Sequence, residues 1–266
     1  MIHIRKEEEI EAIRKSSLLV SKTLAVVASV IKTGMTGLEL DTIAETCIRD
    51  HGASPAFKGY RGFPNSLCIS VNEAVVHGIP SKTIFKEGDL VSVDCGVLLN
   101  GYYGDSAFTF VLGKTDSKVA QLCKTTRESL MLGIQQAIAN NRVGDISYAI
   151  QHHCEEVNPF SCVRELVGHG LGTQLHEEPE IPNYGRRGNG PKLPENCVIA
   201  IEPMVNMGKR GVVTAPDEWT IITKDRLVSA HYEHTVCVRI GKAEVLSSFD
   251  EIDAEVKNNP EIVQFD

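Results

Sequence analysis

The chain has 266 residues, 42% of them hydrophobic, and a net charge of −8, enough apolar material for a sizeable core in one domain or two tightly joined halves. With a pI near 5.6 it offers no general basic face for phosphates, which argues against nucleic acid and anionic membrane as direct partners. It contains no run of about 18 apolar residues and no secretory stretch in Met1-Ile2-His3-Ile4-Arg5-Lys6-Glu7-Glu8-Glu9, and its 8 scattered cysteines form no C-x-x-C pair, so the expected setting is the cytoplasm, with reduced and mostly buried thiols.

From Glu7 to about Ile31 the apolar residues Ile10, Ile13, Leu18, Leu19, Leu24, Val27 and Ile31 recur at helical spacing and stop before Gly34, predicting a long surface helix packed on a core. A second helix is expected over Leu38 to Asp50. Strands follow over Ser66 to Val71, Leu90 to Leu98 and Tyr102 to Leu112, then helices over about Ser117 to Asn140 and Asp145 to Glu156. The last strands are expected over Val198 to Met204, Thr220 to Ile222 and Thr235 to Ile240. Pro182 to Pro194, rich in glycine and proline, reads as an irregular surface loop near the pocket.

Helices followed by strands occur twice, with a faint internal echo. Gly37, Ile43 and Cys47 fall on Gly144, Ile150 and Cys154, and the apolar strands ending in Asp94 and Glu202 are offset by 108 residues. Two related half-domains would each send a carboxylate to a shared cleft; coincidence is the alternative. No linker divides the chain, so it is read as one domain over 1–266, with halves of about 1–113 and 114–266.

Asp94 and Asp105 flank Asn100-Gly101, the dipeptide of a two-residue type I′ hairpin. In that register Asp105 lies opposite Gly96, and period-two alternation puts Asp94 on the same face, so the two carboxylates are diagonal neighbours. Held in an apolar strand pair they would repel unless one protonated or a cation sat between them; taken alone, the pair also fits two solvated strand ends. The second half adds Glu202 at the end of an apolar strand, Glu233 at the start of Glu233-His234-Thr235-Val236-Cys237-Val238, and His169 within Gly168-His169-Gly170-Leu171-Gly172. One imidazole with four carboxylates suits hard or borderline divalent ions such as Mn, Fe, Co or Zn, and a pair about 3.5–4 Å apart can share a hydroxide nucleophile and polarise a carbonyl, as in a hydrolase. His77 and His176, each among glycines or prolines, are either solvated loop residues or donors to a substrate amide and its tetrahedral intermediate.

Taken together these stretches resemble the type I methionine aminopeptidase family over nearly the whole chain. Gly62-Phe63-Pro64-Asn65-Ser66-Leu67-Cys68-Ile69-Ser70-Val71-Asn72-Glu73, Val76-His77-Gly78-Ile79-Pro80, Asp94-Cys95-Gly96, Gly104-Asp105-Ser106-Ala107, Gly168-His169-Gly170-Leu171-Gly172 and Ile201-Glu202-Pro203 carry the likeness. The resemblance implies the α+β pita-bread (creatinase/aminopeptidase) fold, a single catalytic domain with pseudo-two-fold halves, a curved antiparallel sheet and outer helices. By position it implies that Asp94 chelates one metal, Asp105 and Glu233 bridge two, and His169 and Glu202 hold the second. His77 would hydrogen-bond near the scissile peptide, His176 would steady the oxyanion, and Glu202 would move a proton between the bridging water and the leaving amine. The substrate amine would bind a metal, making the enzyme an exopeptidase.

Further implications are an apolar methionine cup of Tyr60, Phe63, Cys68 and Trp219 with His77 at its edge, two divalent ions drawn from Co, Mn, Fe, Zn or Ni, and a monovalent cation near Asn72 and Ser229. The substrates would be nascent polypeptides with a small second residue, met near the ribosome by a monomer. By that rule Ile2 would protect the chain's own initiator methionine. Phe57 stands where many bacterial members carry cysteine and Phe63 where tyrosine is common, which bears on pocket shape. The likeness is to the short bacterial form. Prolidases and aminopeptidases P share the ligand logic but usually carry a further N-terminal domain, and a non-catalytic relative would have lost ligands that are all present here.

Overall fold

The structure is a computed structural model and describes residues 1–264. Helix α1 (Glu7–Val30) carries three glutamates in its first turn, favourable at the positive end of the helix dipole, and buries Ile10, Ile13, Leu24, Val27 and Ala28. Helix α2 (Gly37–Asp50) opens with a capping box: the Thr36 hydroxyl accepts from the Glu39 N–H at 3.2 Å and the Glu39 carboxylate accepts from the Thr36 N–H at 2.8 Å. Strands β1 (Ser54–Pro55), β2 (Leu67–Val71) and β3 (Ala74–Val76) lead to the hairpin of β4 (Leu90–Leu99) and β5 (Tyr102–Val111). Asn100 and Gly101 turn it with φ of 52° and 82°, the positive values that a type I′ turn requires.

Helices α3 (Ser117–Gln136) and α4 (Val143–Gln151) follow, α4 continuing as a π turn over His152–Val157. Then come β6 (Ser161–Cys162), β7 (Val167–Gly170), β8 (Glu177–Pro182), β9 (Val198–Ile201), β10 (Met204–Asn206), β11 (Val212–Thr214) and β12 (Ile221–Thr223). After these lie β13 (Ser229–His231), β14 (His234–Cys237), β15 (Glu244–Val245) and helix α5 (Asp250–Asn258). The main sheets are β1-β4-β2 with β5 on β4, and β15-β14-β9-β7-β8; two smaller ones run β13-β10-β6 and β11-β12-β3. Cys47 is partly exposed and the other seven cysteines are buried and free, as their apolar use predicts.

Two expectations are corrected, and a third, the irregular surface loop near the pocket, is met. The strand expected over Val198 to Met204 is two strands, because Pro203 has no N–H for the ladder and the chain leaves one sheet at Glu202 to enter another at Met204. The helix expected to reach Asn140 ends at Gln136: Ala137 has a non-helical ψ of 53°, and the Ala139 N–H donates to the Arg239 carbonyl at 3.0 Å. The Pro182–Pro194 loop packs on the start of α4, where Gly144 N–H donates to the Asn189 carbonyl at 2.9 Å and Gly188 N–H to Asp145 at 2.9 Å, and it reaches the cleft through Asn183.

The two main sheets are stitched along β5. Glu233 N–H donates to the Ala107 carbonyl at 3.0 Å, the Ser106 hydroxyl to the Glu233 carbonyl at 2.6 Å, and the Thr235 hydroxyl to the Asp105 carbonyl at 2.7 Å. On the other face α1 lies directly on β5: the Ser16 hydroxyl donates to the Tyr102 carbonyl at 2.9 Å, and a Cβ at Gly104 would collide with the backbone of Ser16 and Ser17. Gly104→Ala must therefore push the helix off the strand. The expected loss is about 1–3 kcal/mol, the range for overpacking a close-packed interior, read as a lowered urea midpoint at unchanged m-value.

Candidate active site

The hairpin pairs in the expected register, Gly96 opposite Asp105 and Asp94 opposite Ala107, so the two aspartates share a face as diagonal neighbours. The β5 seam brings Glu233 beside them, since its own N–H and carbonyl are both bonded to β5. Glu202 emerges at the break between β9 and β10, and its carbonyl accepts from Asn183 at 3.0 Å. His169 sits on β7. The flanking Gly168 and Gly170 pass so close to the carbonyls of Ala200 and Glu178 that any Cβ would collide with them, which lets the imidazole reach the carboxylates. Its Nδ1 lies 3.0 Å from the Gly170 carbonyl; donating there leaves the Nε2 lone pair facing Glu202 Oε1 at 3.6 Å and Asp105 Oδ2 at 4.0 Å.

This cluster is out of balance electrically. Asp94 Oδ1, Asp105 Oδ1 and Glu233 Oε1 are buried and have no hydrogen-bond partner. Burial pushes the Asp94 and Glu202 carboxyls up to about 7, and burial with the neighbouring carboxylates pushes Asp105 and Glu233 well above the usual range. Such a set needs protons or cations. Asp105, His169 and Glu233 offer ligand atoms that all lie within 4.8 Å of one another, so the residues fit a bound divalent metal by charge, donor type and spacing.

Above the carboxylates the cavity, about 270 Å³, is lined by every predicted ligand and donor and by Tyr60, Phe63, Cys68 and Trp219. Phe63 meets Trp219 edge to face with ring centroids 5.2 Å apart, and Phe57 adds a wall against which a Cβ at Gly96 would press. His77 is held at a φ of 57°; Gly78 beside it packs on the Ile69 carbonyl where no Cβ fits. Burial and the nearby His231 push the His77 imidazole down to about 4, so at neutral pH it is uncharged. His176 stands at the rim, its Nδ1 2.9 Å from the Tyr60 hydroxyl and its ring 4.3 Å from that of His169. Lost hydration and the neighbouring His169 hold it below the ordinary imidazole value.

Sequence reasoning missed His231. It is 1% exposed, its Nε2 has no hydrogen-bond partner, and that atom lies 3.6 Å from Glu202 Oε2. The only signal was its place two residues before Glu233, at the end of β13. Asn72 and Ser229 are neighbours outside the cavity lining: the Asn72 carbonyl accepts from Ser229 N–H at 3.0 Å, the Asn72 side chain bonds Asp89 and Leu90, and the Ser229 hydroxyl bonds Val205 and Asn206.

Residues 11–239 match the metallopeptidase family M24. A methionine aminopeptidase of Clostridium acetobutylicum is 47% identical over 248 residues, covering 93% of this chain and 99% of that protein. The crystal structure of a methionine aminopeptidase from Thermotoga maritima superposes with a TM-score of 0.91 at 43% identity, over 93% of this chain and 100% of the other. A prolidase from Pyrococcus horikoshii shares the fold alone, with a TM-score of 0.74 at 22% identity over 63% of its own length. The architecture is the expected α+β pita-bread fold.

The raised carboxyls fix a pH dependence for the metal-free protein. Asp94 and Glu202 titrate near 7 when folded and at about 4 when unfolded, so their own contribution to folded-state stability is full below about pH 4 and is lost as pH climbs through 7. The buried histidines, held below the ordinary imidazole value, act with the opposite sign, so the carboxyl contribution is read by difference: we expect metal-free Asp94→Asn and Glu202→Gln to gain more Tm over the native metal-free protein at pH 8 than at pH 5, and a saturating divalent ion to raise Tm more at pH 8 than at pH 5. A gain in these variants that is no larger at pH 8 than at pH 5 would contradict the assigned burial.

Proposed function

The chain belongs to metallopeptidase family M24, and from that premise we infer that it removes the N-terminal methionine from peptides by metal-dependent hydrolysis. The observation that carries this reading is the unpaired carboxylate set with one imidazole at the floor of a small cavity whose walls are aromatic and apolar. Asp94, Asp105, Glu233, His169 and Glu202 would hold two divalent ions, with Mn, Fe, Co, Ni and Zn all compatible with these donors. Bound there, the ions supply Lewis acidity toward a carbonyl and acidify a shared water.

The chain's own groups do the rest. Phe57, Tyr60, Phe63, Cys68 and Trp219 receive the methionine side chain, where sulfur against aromatic edges adds about 0.3–1.5 kcal/mol to simple burial. A cavity of about 270 Å³ admits one side chain, which sets the register of cleavage at the first residue. Glu202, which lines the cavity beside His169, takes a proton from the attacking water and returns it to the leaving amine. In the tautomer that serves this reaction His176 Nδ1 accepts from the Tyr60 hydroxyl, 2.9 Å away, and Nε2 carries the proton for the substrate carbonyl as it becomes an oxyanion. Neutral His77, fixed at the cup's edge, hydrogen-bonds beside the scissile peptide. The substrate's second residue must pass the rim, so small residues such as Gly, Ala or Ser are preferred.

Among the described residues no helix is long and apolar enough to cross a membrane. The setting we assign is the cytoplasm, where a monomer meets nascent polypeptides near the ribosome. A monovalent cation near Asn72 and Ser229 would have to compete with the protein partners of both side chains.

Metal-loaded protein incubated with Met-Gly-Met, Met-Leu-Met and Leu-Gly-Met should release methionine from the N-terminus of Met-Gly-Met and leave the other two largely intact. The Asp105→Ala, Glu233→Ala double variant should release none, and His176→Ala should lower kcat by about 10²–10³, as for loss of one oxyanion donor. Absence of methionine release with every metal overturns the reading, and cleavage confined to peptides with proline in second position would point to a proline-directed peptidase.

A further inference from the structure

The turn that carries His176, between β7 and β8, is built around a single carboxylate. Glu177 Oε1 accepts from the backbone N–H groups of Thr173 and Gln174, each at 3.0 Å, and from the Thr173 hydroxyl at 3.3 Å. Its other oxygen, Oε2, takes the guanidinium of Arg5. The two side chains are 6% and 5% exposed, so neither charge has water to fall back on. Arg5 comes from the segment before α1, far away in sequence, and is anchored there by its own N–H to the Asn196 carbonyl at 2.9 Å and by Glu9 at 3.7 Å.

Gly172, the last glycine of the Gly168-His169-Gly170-Leu171-Gly172 stretch, is the seat of that guanidinium: a Cβ there would collide with Arg5 Nη2 and Cζ. The Gly172 carbonyl is tied in turn to Tyr103 N–H at 2.8 Å. Arg5 does not line the cavity and touches none of the groups assigned to the chemistry. Its buried charge is nevertheless spent on the residue next to His176.

We propose that Arg5 is a positioning residue for the reaction, its ion pair with Glu177 fixing the turn that presents His176 to the substrate carbonyl. The proposal rests on the assignment of His176 as the oxyanion donor. Without the guanidinium, Glu177 is a buried unpaired anion and is drawn toward water, away from the amides of Thr173 and Gln174. The turn then loosens, and the 2.9 Å contact of His176 with Tyr60 loses its frame. A donor to a developing charge works only at a fixed place, and a displacement of about 1 Å can cost about 100-fold.

Steady-state kinetics of metal-loaded Arg5→Ala, Arg5→Lys, His176→Ala and the Arg5→Ala, His176→Ala double variant test this, with metal content measured for each. Arg5→Ala should lower kcat by about 10- to 100-fold with KM and bound metal unchanged, Arg5→Lys should recover part of the loss, and Arg5→Ala should add nothing in the His176→Ala background. Amide hydrogen exchange at Thr173 and Gln174 should quicken in Arg5→Ala while the core strands stay protected. Unchanged kcat in Arg5→Ala, or a full further loss in the double variant, overturns the proposal while leaving the donor role of His176 intact. A His176→Ala enzyme with normal kcat would instead remove that role and the proposal with it. Should Arg5→Ala fail to fold, Glu177→Gln, which keeps an acceptor for the amides but no charge for Arg5, must show the same kcat loss with unchanged KM or the proposal fails.

Discussion

Four carboxylates share a space from which water is largely excluded, and their mutual repulsion governs the rest of the molecule. Asp94, Asp105 and Glu233 each keep a buried oxygen with no donor, an arrangement that would relax in any flexible setting by letting one side chain swing to solvent. Here it cannot, because Asp94 and Asp105 are locked by ten residue pairs of hairpin and Glu233 by bonds from its own N–H and carbonyl. The fold therefore stores an unmet demand for positive charge at one point. The cup and the three imidazoles of His77, His176 and His169 are arranged around that point.

Holding the point requires backbones to approach more closely than side chains allow. Gly78, Gly104, Gly168, Gly170 and Gly172 all lie where a Cβ would strike a neighbouring backbone or the Arg5 guanidinium. These glycines serve close approach, not unusual dihedral angles, since none of them has a positive φ. Each sits within two residues of a side chain that lines the cavity or beside the turn that carries one, so the precision of the site is set by close backbone packing against strand, helix and the Arg5 guanidinium alike.

The diagonal aspartate pair was legible because its evidence is local: one Asn-Gly turn fixes the register, and alternation fixes the face. The long helices were legible for the same reason, their apolar stripes lying within a single stretch of chain. What escaped depends on distant partners. Strands of two to six residues such as β1, β3, β6, β7 and β8 are too short to show a period, and the break at Glu202-Pro203 was hidden by apolar residues on both sides. His231 lies between two expected strands with no motif around it, and its significance lies in meeting Glu202 from the strand paired with Met204. The pairing of Arg5 with Glu177 spans most of the chain, and nothing in the neighbourhood of either residue announces the other.

The seam between β5 and the segment Glu233–Thr235 also sets an order of assembly. The β4–β5 hairpin can form as soon as its own residues exist, since its pairing is short-range. The centre cannot: Glu233 arrives only with the last eighth or so of the polypeptide, after a loop closure spanning more than a hundred residues. During synthesis the first two aspartates stand side by side in water until the far end of the chain arrives to close the site over them. A site closed in this way is inert until nearly all of the chain has emerged, and its activity marks the completion of the protein's own folding.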